Sequence, residues 1–146
     1  MKPENEATVK FPSRSKNEAF ARSVTAAFAA QLDPTLDELG DIRTAVSEAV
    51  TNCIVHAYPD RIGEITLRLR LLPGGVLEIV VKDAGVGIAD VEQARQPMFT
   101  TGGADRSGMG ITIMESFMNE VKIRSAPGRG TTVRMRRRIA GRGDAA

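Results

Sequence analysis

Glu48, Asn52 and His56 follow one another at four-residue steps in a segment with the periodicity of an amphipathic helix. At about 100° per residue, such steps place three polar side chains on one strip of the helix, beside its apolar stripe. Glutamate can act as a general base, and the asparagine amide is a neutral oxygen ligand that suits Mg²⁺. On spacing alone, however, a solvated helix flank explains the strip better than a site does.

Two glycine-rich segments add candidate binding residues. Asp83 to Gly87 (DAGVG) ends a predicted strand, where Asp83 offers an acceptor and the glycines let a flat ligand approach the backbone. Arg106 to Gly110 (RSGMG) runs into a predicted helix, so its N–H groups and Arg106 would suit a phosphate. Taken singly, the first pattern is also typical of a strand-ending turn, and the second is weak. Neither is a Walker or a Rossmann loop.

The elements that must position these residues are predicted from periodicity and turn residues. Ser15 with Glu18, and Thr35 with Glu38, form capping-box patterns that open two helices, the second running to about Ala57. Strands are predicted in EATVKFPS, EITLRLRLL, VLEIVVKD, VKIRSA and TTVRMRRR, and the last four make two hairpins. This order favours an α+β two-layer sandwich, with one mixed, mostly antiparallel sheet and helices on one face.

Length and composition predict one domain over residues 1–146, with about 137–146 as a flexible tail. No apolar run approaches the ~18 residues of a membrane span, and MKPENEATVK lacks the apolar core of a secretory signal. The single Cys53 excludes an internal disulfide framework. These features predict a cytoplasmic protein without a membrane partner.

The C-terminal segment carries much of the positive charge of a chain whose net charge is only +2. Its arginines are Arg134, Arg136, Arg137, Arg138 and Arg142. They invite a nucleic-acid interpretation, but no aromatic stacking platform accompanies them. A solvated last strand with a frayed tail is the preferred interpretation, and no direct nucleic-acid partner is expected.

The order of the motifs carries more information than any one of them. A helical E-x-x-x-N, then D-x-G-x-G after a strand, G-x-G before a helix and G-T-T in a late strand resemble the ATP-binding superfamily of gyrase B, heat-shock chaperones, histidine kinases and MutL. NEAFARSVTAAFAAQLDPTLDELGDIRTAVSEAVTNCIVHAY and ARQPMFTTGGADRSGMGITIMESFMNEV resemble, more narrowly, the anti-sigma-F serine kinases of spore-forming bacteria. The resemblance spans about residues 5–135 and implies a Bergerat-type ATP-binding fold.

The resemblance also implies residue roles for ATP and Mg²⁺. Asn52 would ligate Mg²⁺, and Asp83 would read the adenine amino group. Glu48 would take the proton from a serine of an anti-anti-sigma factor, while Arg106 would meet the γ-phosphate. The remaining nucleotide-binding residues that it implies are Gly85, Gly87, Ser107, Gly108, Met109, Gly110 and Thr131.

Partners follow from the same resemblance. The chain would act as a homodimer that binds and inhibits a sigma factor of the F type, with Arg22 contacting both the sigma factor and the anti-anti-sigma factor. The exposed edge of the first hairpin is our expectation for the dimer surface, because TLRLRLL would otherwise offer an unpaired strand. The lid at Gly102 to Asp105 departs from the family pattern, so lid kinetics and nucleotide selectivity are open.

Two alternatives remain open at this point. One is a general-stress anti-sigma kinase acting on a different sigma factor, and the other is a non-catalytic nucleotide-dependent sequestering module, against which Glu48 argues. A sensor histidine kinase is disfavoured, because the only histidine, His56, lies in the helix of Asn52. We expect His56 to serve packing or loop support.

Overall fold

The structure is a computed structural model that describes residues 2–95 and 110–141. The predicted strands and long helices are present, and a short helix that was not expected (α3) follows the first glycine-rich segment. In chain order the elements are β1 (Asn5–Pro12), α1 (Lys16–Ala29), a 3₁₀ turn (Ala30–Leu32), α2 (Leu36–Asn52), a π-helical turn (Cys53–Ala57), β2 (Glu64–Leu72), β3 (Val76–Asp83), α3 (Val91–Arg95), α4 (Ile111–Phe117), β4 (Glu120–Ser125) and β5 (Thr131–Arg138).

The strands form one five-stranded sheet in the order β1-β2-β3-β5-β4. The α+β class is confirmed, but the sheet is not mixed, because every pairing among the described strands is antiparallel. The expectation of an exposed edge on β2 was wrong. β1 pairs along the whole of β2, from Asn5 opposite Leu71 to Pro12 opposite Glu64, so β1 and β4 form the edges.

The core lies between the helices and one face of the sheet. Strand alternation sends Ile65, Leu67 and Leu69 of β2 to this face, where they are fully buried with Ile42 and Val46 of α2. On the opposite face the polar residues alternate with them, as the sequence pattern predicts for a half-solvated antiparallel sheet. Within the described residues, no helix has the length and apolar character that a membrane crossing requires.

The two predicted capping boxes differ in outcome. At α2 the box is complete, since Thr35 Oγ1 accepts from the Glu38 N–H at 3.1 Å and Glu38 Oε1 accepts from the Thr35 N–H at 2.9 Å. At α1 the prediction was wrong, because the Ser15 side chain makes no capping hydrogen bond. Ser15 already has helical backbone angles (φ −58°, ψ −31°), whereas a capping side chain needs extended ones.

The C-terminal end of the described chain is tied to the start of α2. Glu38, which is buried, also accepts hydrogen bonds from the N–H groups of Ala140 and Gly141, at 2.8 and 3.2 Å. Arg137 pairs with Asp41 at 2.9 Å. Residues 137–141 are therefore anchored rather than part of a flexible tail, and only 142–146 lie outside the described residues.

Arg134, Arg136 and Arg137 of β5 form ion pairs within the fold. Arg136, together with Arg70 of β2, holds the carboxylate of Glu78, which is completely buried on the outer face of the sheet. Arg134 pairs with Glu120 of β4 at 3.1 Å. The positive charge of β5 therefore has a structural role, since Arg134 and Arg136 neutralise acidic side chains of the sheet.

Glu38 supplies a stability test. Burial raises its pKa, but hydrogen bonds from the Thr35, Ala140 and Gly141 N–H groups and the Thr35 hydroxyl outweigh burial, so the pKa lies below its usual value. Replacing Glu38 with Gln should lower the free energy of unfolding by about 1–3 kcal/mol at neutral pH, since an amide nitrogen faces the donors that the carboxylate accepts. Urea unfolding measures this change.

The pH dependence has a defined sign. Because the folded pKa is depressed, the contribution of Glu38 is present above the unfolded pKa and is lost as pH falls through the folded pKa. The difference between the Glu38→Gln variant and the parent should therefore shrink in acid. The exposed neighbour Asp37 is the control, and Asp37→Asn should change stability by less than about 0.5 kcal/mol. An equal effect of the two variants would contradict the anchoring role.

Candidate functional site

The last turn of α2 widens before the chain leaves the helix. Residues Cys53–Ala57 are π-helical, and the Tyr58 N–H donates to the Cys53 carbonyl at 3.1 Å. The predicted helix to Ala57 is thus present, with a change of helix type in its last turn. Such single π-turns are rare and concentrate at functional sites, because they redirect side chains relative to a regular helix.

The end of α2, the ends of β3 and β5, and α4 together surround a cavity. Most of its wall is apolar, while Asn52, Asp83 and Thr131 contribute oxygen atoms. This combination of an apolar wall with a few fixed polar groups is typical of a small-molecule site. The lining residues are Ala49, Asn52, Cys53, His56, Ala57, Asp83, Gly87, Ile88, Ile111, Met114, Ile123, Thr131 and Val133.

Asp83 is the most constrained polar group of this wall and is only 6% exposed. Its Oδ1 atom accepts from the N–H groups of Gly85, at 3.0 Å, and Thr131, at 3.1 Å. Its Oδ2 atom accepts from the thiol of Cys53 at 3.4 Å. The carboxylate is therefore held by three different segments. These contacts fix the direction of the lone pair that has no donor among the described residues.

The glycines after Asp83 permit close backbone contacts that a side chain would prevent. A Cβ atom on Gly85 would collide with the carbonyl group of Ala57, whose oxygen accepts from the Val86 N–H at 3.0 Å. Gly87 has a φ of +79°, and a Cβ there would collide with the carbonyl oxygen of Ala126. The glycine pattern thus docks this loop against α2 on one side and the β4–β5 turn on the other.

Ser125 ties that turn to the cavity. Its hydroxyl accepts from the Ile88 N–H at 2.7 Å, contacts Thr131 Oγ1 at 2.7 Å and lies 3.0 Å from the Gly130 carbonyl. Thr131 is consequently fixed at both its N–H, by Asp83, and its hydroxyl, by Ser125. The late-strand threonine is a structural part of the wall.

Tyr58 anchors the other end of the loop. Its hydroxyl accepts from the Ala84 N–H and donates to the Glu64 carbonyl, both at 2.7 Å, and the ring is almost fully buried. The guanidinium of Arg61 stacks 5.0 Å from the ring centroid. The backbone directly after Asp83 is therefore held from the end of α2.

Glu48 lies beside the cavity, one helical turn before Asn52, and meets the start of α4. A Cβ atom on Gly110 would collide with the Glu48 carboxylate, so a glycine at this position lets the two approach. Burial raises the pKa of Glu48, and the negative charge of Glu18 on α1 raises it further. Both effects make Glu48 a stronger proton acceptor than a free glutamate.

Arg22 is held on α1, away from the cavity wall. Its Nε atom lies 2.5 Å from Glu18 Oε2, one helical turn earlier, and its side chain is 41% exposed. Glu18, which raises the pKa of Glu48, is thus also the ion-pair partner of Arg22. The pair leaves the Arg22 guanidinium accessible from solvent.

The structure brings together most of the residues singled out by sequence. Asn52, Asp83, Gly87 and Thr131 line one cavity, Gly85 supports it, and Glu48 and Gly110 contact each other next to it. His56 also lines the cavity. The predicted residues Arg106, Ser107, Gly108 and Met109, and the lid at Gly102 to Asp105, lie outside the described residues.

Three supporting residues were missed by the sequence interpretation: Cys53, Tyr58 and Ser125. Cys53 was assigned only to the apolar stripe, which borders the strip of Glu48, Asn52 and His56. Tyr58 and Ser125 act through backbone groups of distant segments, and no local pattern indicates such a contact.

Comparison with known proteins identifies the family. Residues 11–137 match the model of the histidine kinase-like ATPase domain. An anti-sigma F factor of Caldanaerobacter subterraneus subsp. tengcongensis is 56% identical over 140 residues, covering 95% of this chain and 97% of that protein. The chain belongs to the anti-sigma F factor family. A further anti-sigma F factor, from Geobacillus kaustophilus, is 53% identical over 137 residues, which are 93% of this chain and 94% of that protein.

A solved structure shows the same fold. The crystal structure of the RsbU and RsbW domains of Rv1364c from Mycobacterium tuberculosis aligns with a TM-score of 0.67 at 19% identity. The alignment covers 94% of this chain and 32% of the larger one. The sandwich expected for an anti-sigma F factor is thus confirmed as the histidine kinase-like ATPase fold.

The contact between Gly85 and Ala57 generates a stability prediction. Replacing Gly85 with Ala should destabilise the fold by about 1–3 kcal/mol, since the added methyl group meets the carbonyl group of Ala57, which cannot move without disturbing the π-helical turn after α2. Gly40, in the interior of α2 with open space around it, is the matched control.

Replacing Gly40 with Ala should instead stabilise the fold by about 0.5–1 kcal/mol, because alanine is the better helix former. Thermal or urea unfolding of the two variants distinguishes them. Tolerance of Gly85→Ala without loss of stability would contradict the close packing of the loop on α2.

Proposed function

We propose that this chain is an anti-sigma factor that binds a sigma factor of the F type and phosphorylates a serine of its anti-anti-sigma factor at the expense of ATP. The observation that carries the proposal is the fixed carboxylate of Asp83 in an apolar cavity, with Asn52 and Glu48 on the adjoining helix. Membership of the anti-sigma F factor family supports it. We place its action in the cytoplasm.

The lining of the cavity matches a nucleotide base in polarity. Apolar side chains of Ile88, Met114 and Ile123 offer contact area to a flat ring, and Asp83 offers an acceptor that is already oriented. An adenine amino group is a donor, so it complements this carboxylate, whereas a carbonyl at the same ring position would be repelled. Gly85 and Gly87 shape the pocket, and Thr131 supports it.

Asn52 is the proposed ligand for Mg²⁺. Its side chain lines the cavity, and none of the hydrogen bonds found among the described residues uses it, so its oxygen is available. When bound, the ion would neutralise charge on the ATP phosphates while retaining most of its coordination sites for phosphate and water. Ser107, Gly108, Met109 and Gly110 are proposed to hold the phosphates, and Arg106 to contact the γ-phosphate.

Glu48 is the proposed general base. It accepts the proton of the substrate serine hydroxyl as the serine oxygen forms a bond to the γ-phosphorus, and the bond from that phosphorus to the β-phosphate oxygen breaks to release ADP. The raised pKa of Glu48, caused by burial and by Glu18, favours this proton transfer near neutral pH. Glu48 lies on the same helix as Asn52, the proposed Mg²⁺ ligand, and one turn before it.

Partner binding is proposed to use α1 and a homodimer. Arg22 is ordered by Glu18 and accessible, which suits a contact that both the sigma factor and the anti-anti-sigma factor share. The first alternative is a general-stress anti-sigma kinase, which would have the same activity but bind a different sigma factor. A sequestering module without catalysis is the second alternative, and the presence of Glu48 beside the cavity supports the kinase over it.

Replacing Glu48 with Gln tests the kinase against the sequestering module. Glutamine keeps the shape but cannot accept the serine proton, so transfer of labelled phosphate from ATP to the anti-anti-sigma protein should fall by about 10²–10⁴-fold. Binding of the sigma factor should be unchanged, because Glu48 lies beside the cavity rather than on the exposed side of α1.

The matched variant is Arg22→Ala, which should weaken sigma-factor binding while nucleotide binding persists. Size-exclusion chromatography detects the homodimer in the absence of the sigma factor and the complex in its presence, from their elution volumes. Undiminished phosphotransfer by the Glu48→Gln variant would remove Glu48 from its role, and phosphotransfer absent from the parent protein would favour the sequestering module.

A further inference from the structure

Cys53 lies behind the carboxylate that faces the cavity. It is 3% exposed, lines the cavity from the π-helical turn, and its sulfur is 3.4 Å from Asp83 Oδ2. No other described side chain donates to Asp83, because the two donors on Oδ1 are backbone N–H groups. Among residues 2–95 and 110–141, the thiol is therefore the one side-chain contact that sets the position of Oδ2.

Counting acceptor sites shows what this contact leaves free. A carboxylate has about four lone-pair sites, two on each oxygen. Gly85 and Thr131 occupy Oδ1, and Cys53 occupies one site of Oδ2. One acceptor site remains, and it lies on the oxygen that the thiol orients.

The thiol acts as a donor to the carboxylate. Its sulfur lies 3.4 Å from Asp83 Oδ2, which is hydrogen-bond distance for sulfur, and a carboxylate oxygen is an acceptor for the S–H group.

We propose that Cys53 is a positioning residue for base selectivity, which holds Asp83 Oδ2 so that a single acceptor site faces the 6-amino group of adenine. This inference rests on the proposed binding of ATP. It adds Cys53 as a residue that would influence base selectivity through Asp83, without touching the base itself. Without the thiol, Oδ2 would have two open sites and would be anchored only through Oδ1, so water could take the place of the amino group.

The test compares ATP with purine ribonucleoside triphosphate, which lacks the 6-amino group. Calorimetry gives the dissociation constant of each for the parent and for Cys53→Ala. The parent should bind ATP more tightly than the purine nucleotide. In the alanine variant the ratio of the two dissociation constants should fall by about fivefold, the value expected for one hydrogen bond. Affinity for the purine nucleotide should stay within about twofold of the parent.

Two further variants separate positioning from packing. Cys53→Ser retains a donor and should preserve the preference for ATP. Val50→Ala is the packing control, because Val50 is fully buried on α2 but is not among the lining residues of the cavity. It should lower stability and leave the preference unchanged.

The outcomes are distinct. An equal change in affinity for both nucleotides in Cys53→Ala, or the same loss of preference in the serine and alanine variants, would overturn the positioning role while ATP binding stands. Failure of the parent protein to bind either nucleotide would overturn the proposed function and this inference together.

Discussion

The carboxylate of Asp83 is the interaction on which the site depends. It joins α2 through Cys53, the first glycine loop through Gly85 and the last strand through Thr131, so three segments meet at one side chain. A buried carboxylate is unfavourable unless donors surround it, and here backbone N–H groups supply most of them. The cavity wall and the fold around it are therefore held by the same contacts.

Supporting contacts extend from this centre. Tyr58 fixes the backbone after Asp83, and Ser125 fixes Thr131, so each neighbour of the carboxylate has its own anchor. The glycines allow these segments to approach because any side chain would collide with a carbonyl group. Rigid support of this kind favours a preorganised binding site over one that forms only around a ligand.

Much of this arrangement could be predicted from local sequence. Strand alternation and the Thr35 capping box predicted the elements, and the resemblance of the ordered motifs to an ATP-binding superfamily brought Asn52, Asp83 and Thr131 into one group. Long-range effects could not be read in this way: the antiparallel order of the whole sheet, the inner position of β2 and the anchoring of residues 137–141 by Glu38. These depend on which segments meet in space, which periodicity does not encode.

The proposed selection of adenine by Asp83 is tested most directly by the Asp83→Asn variant. Asparagine can keep the oxygen that accepts from Gly85 and Thr131, but it turns the outer atom from an acceptor into a donor. The parent should prefer ATP over inosine triphosphate, which has a carbonyl at the 6-position, and the variant should lose or invert that preference in calorimetric titrations. An unchanged preference for ATP in the variant would contradict the account.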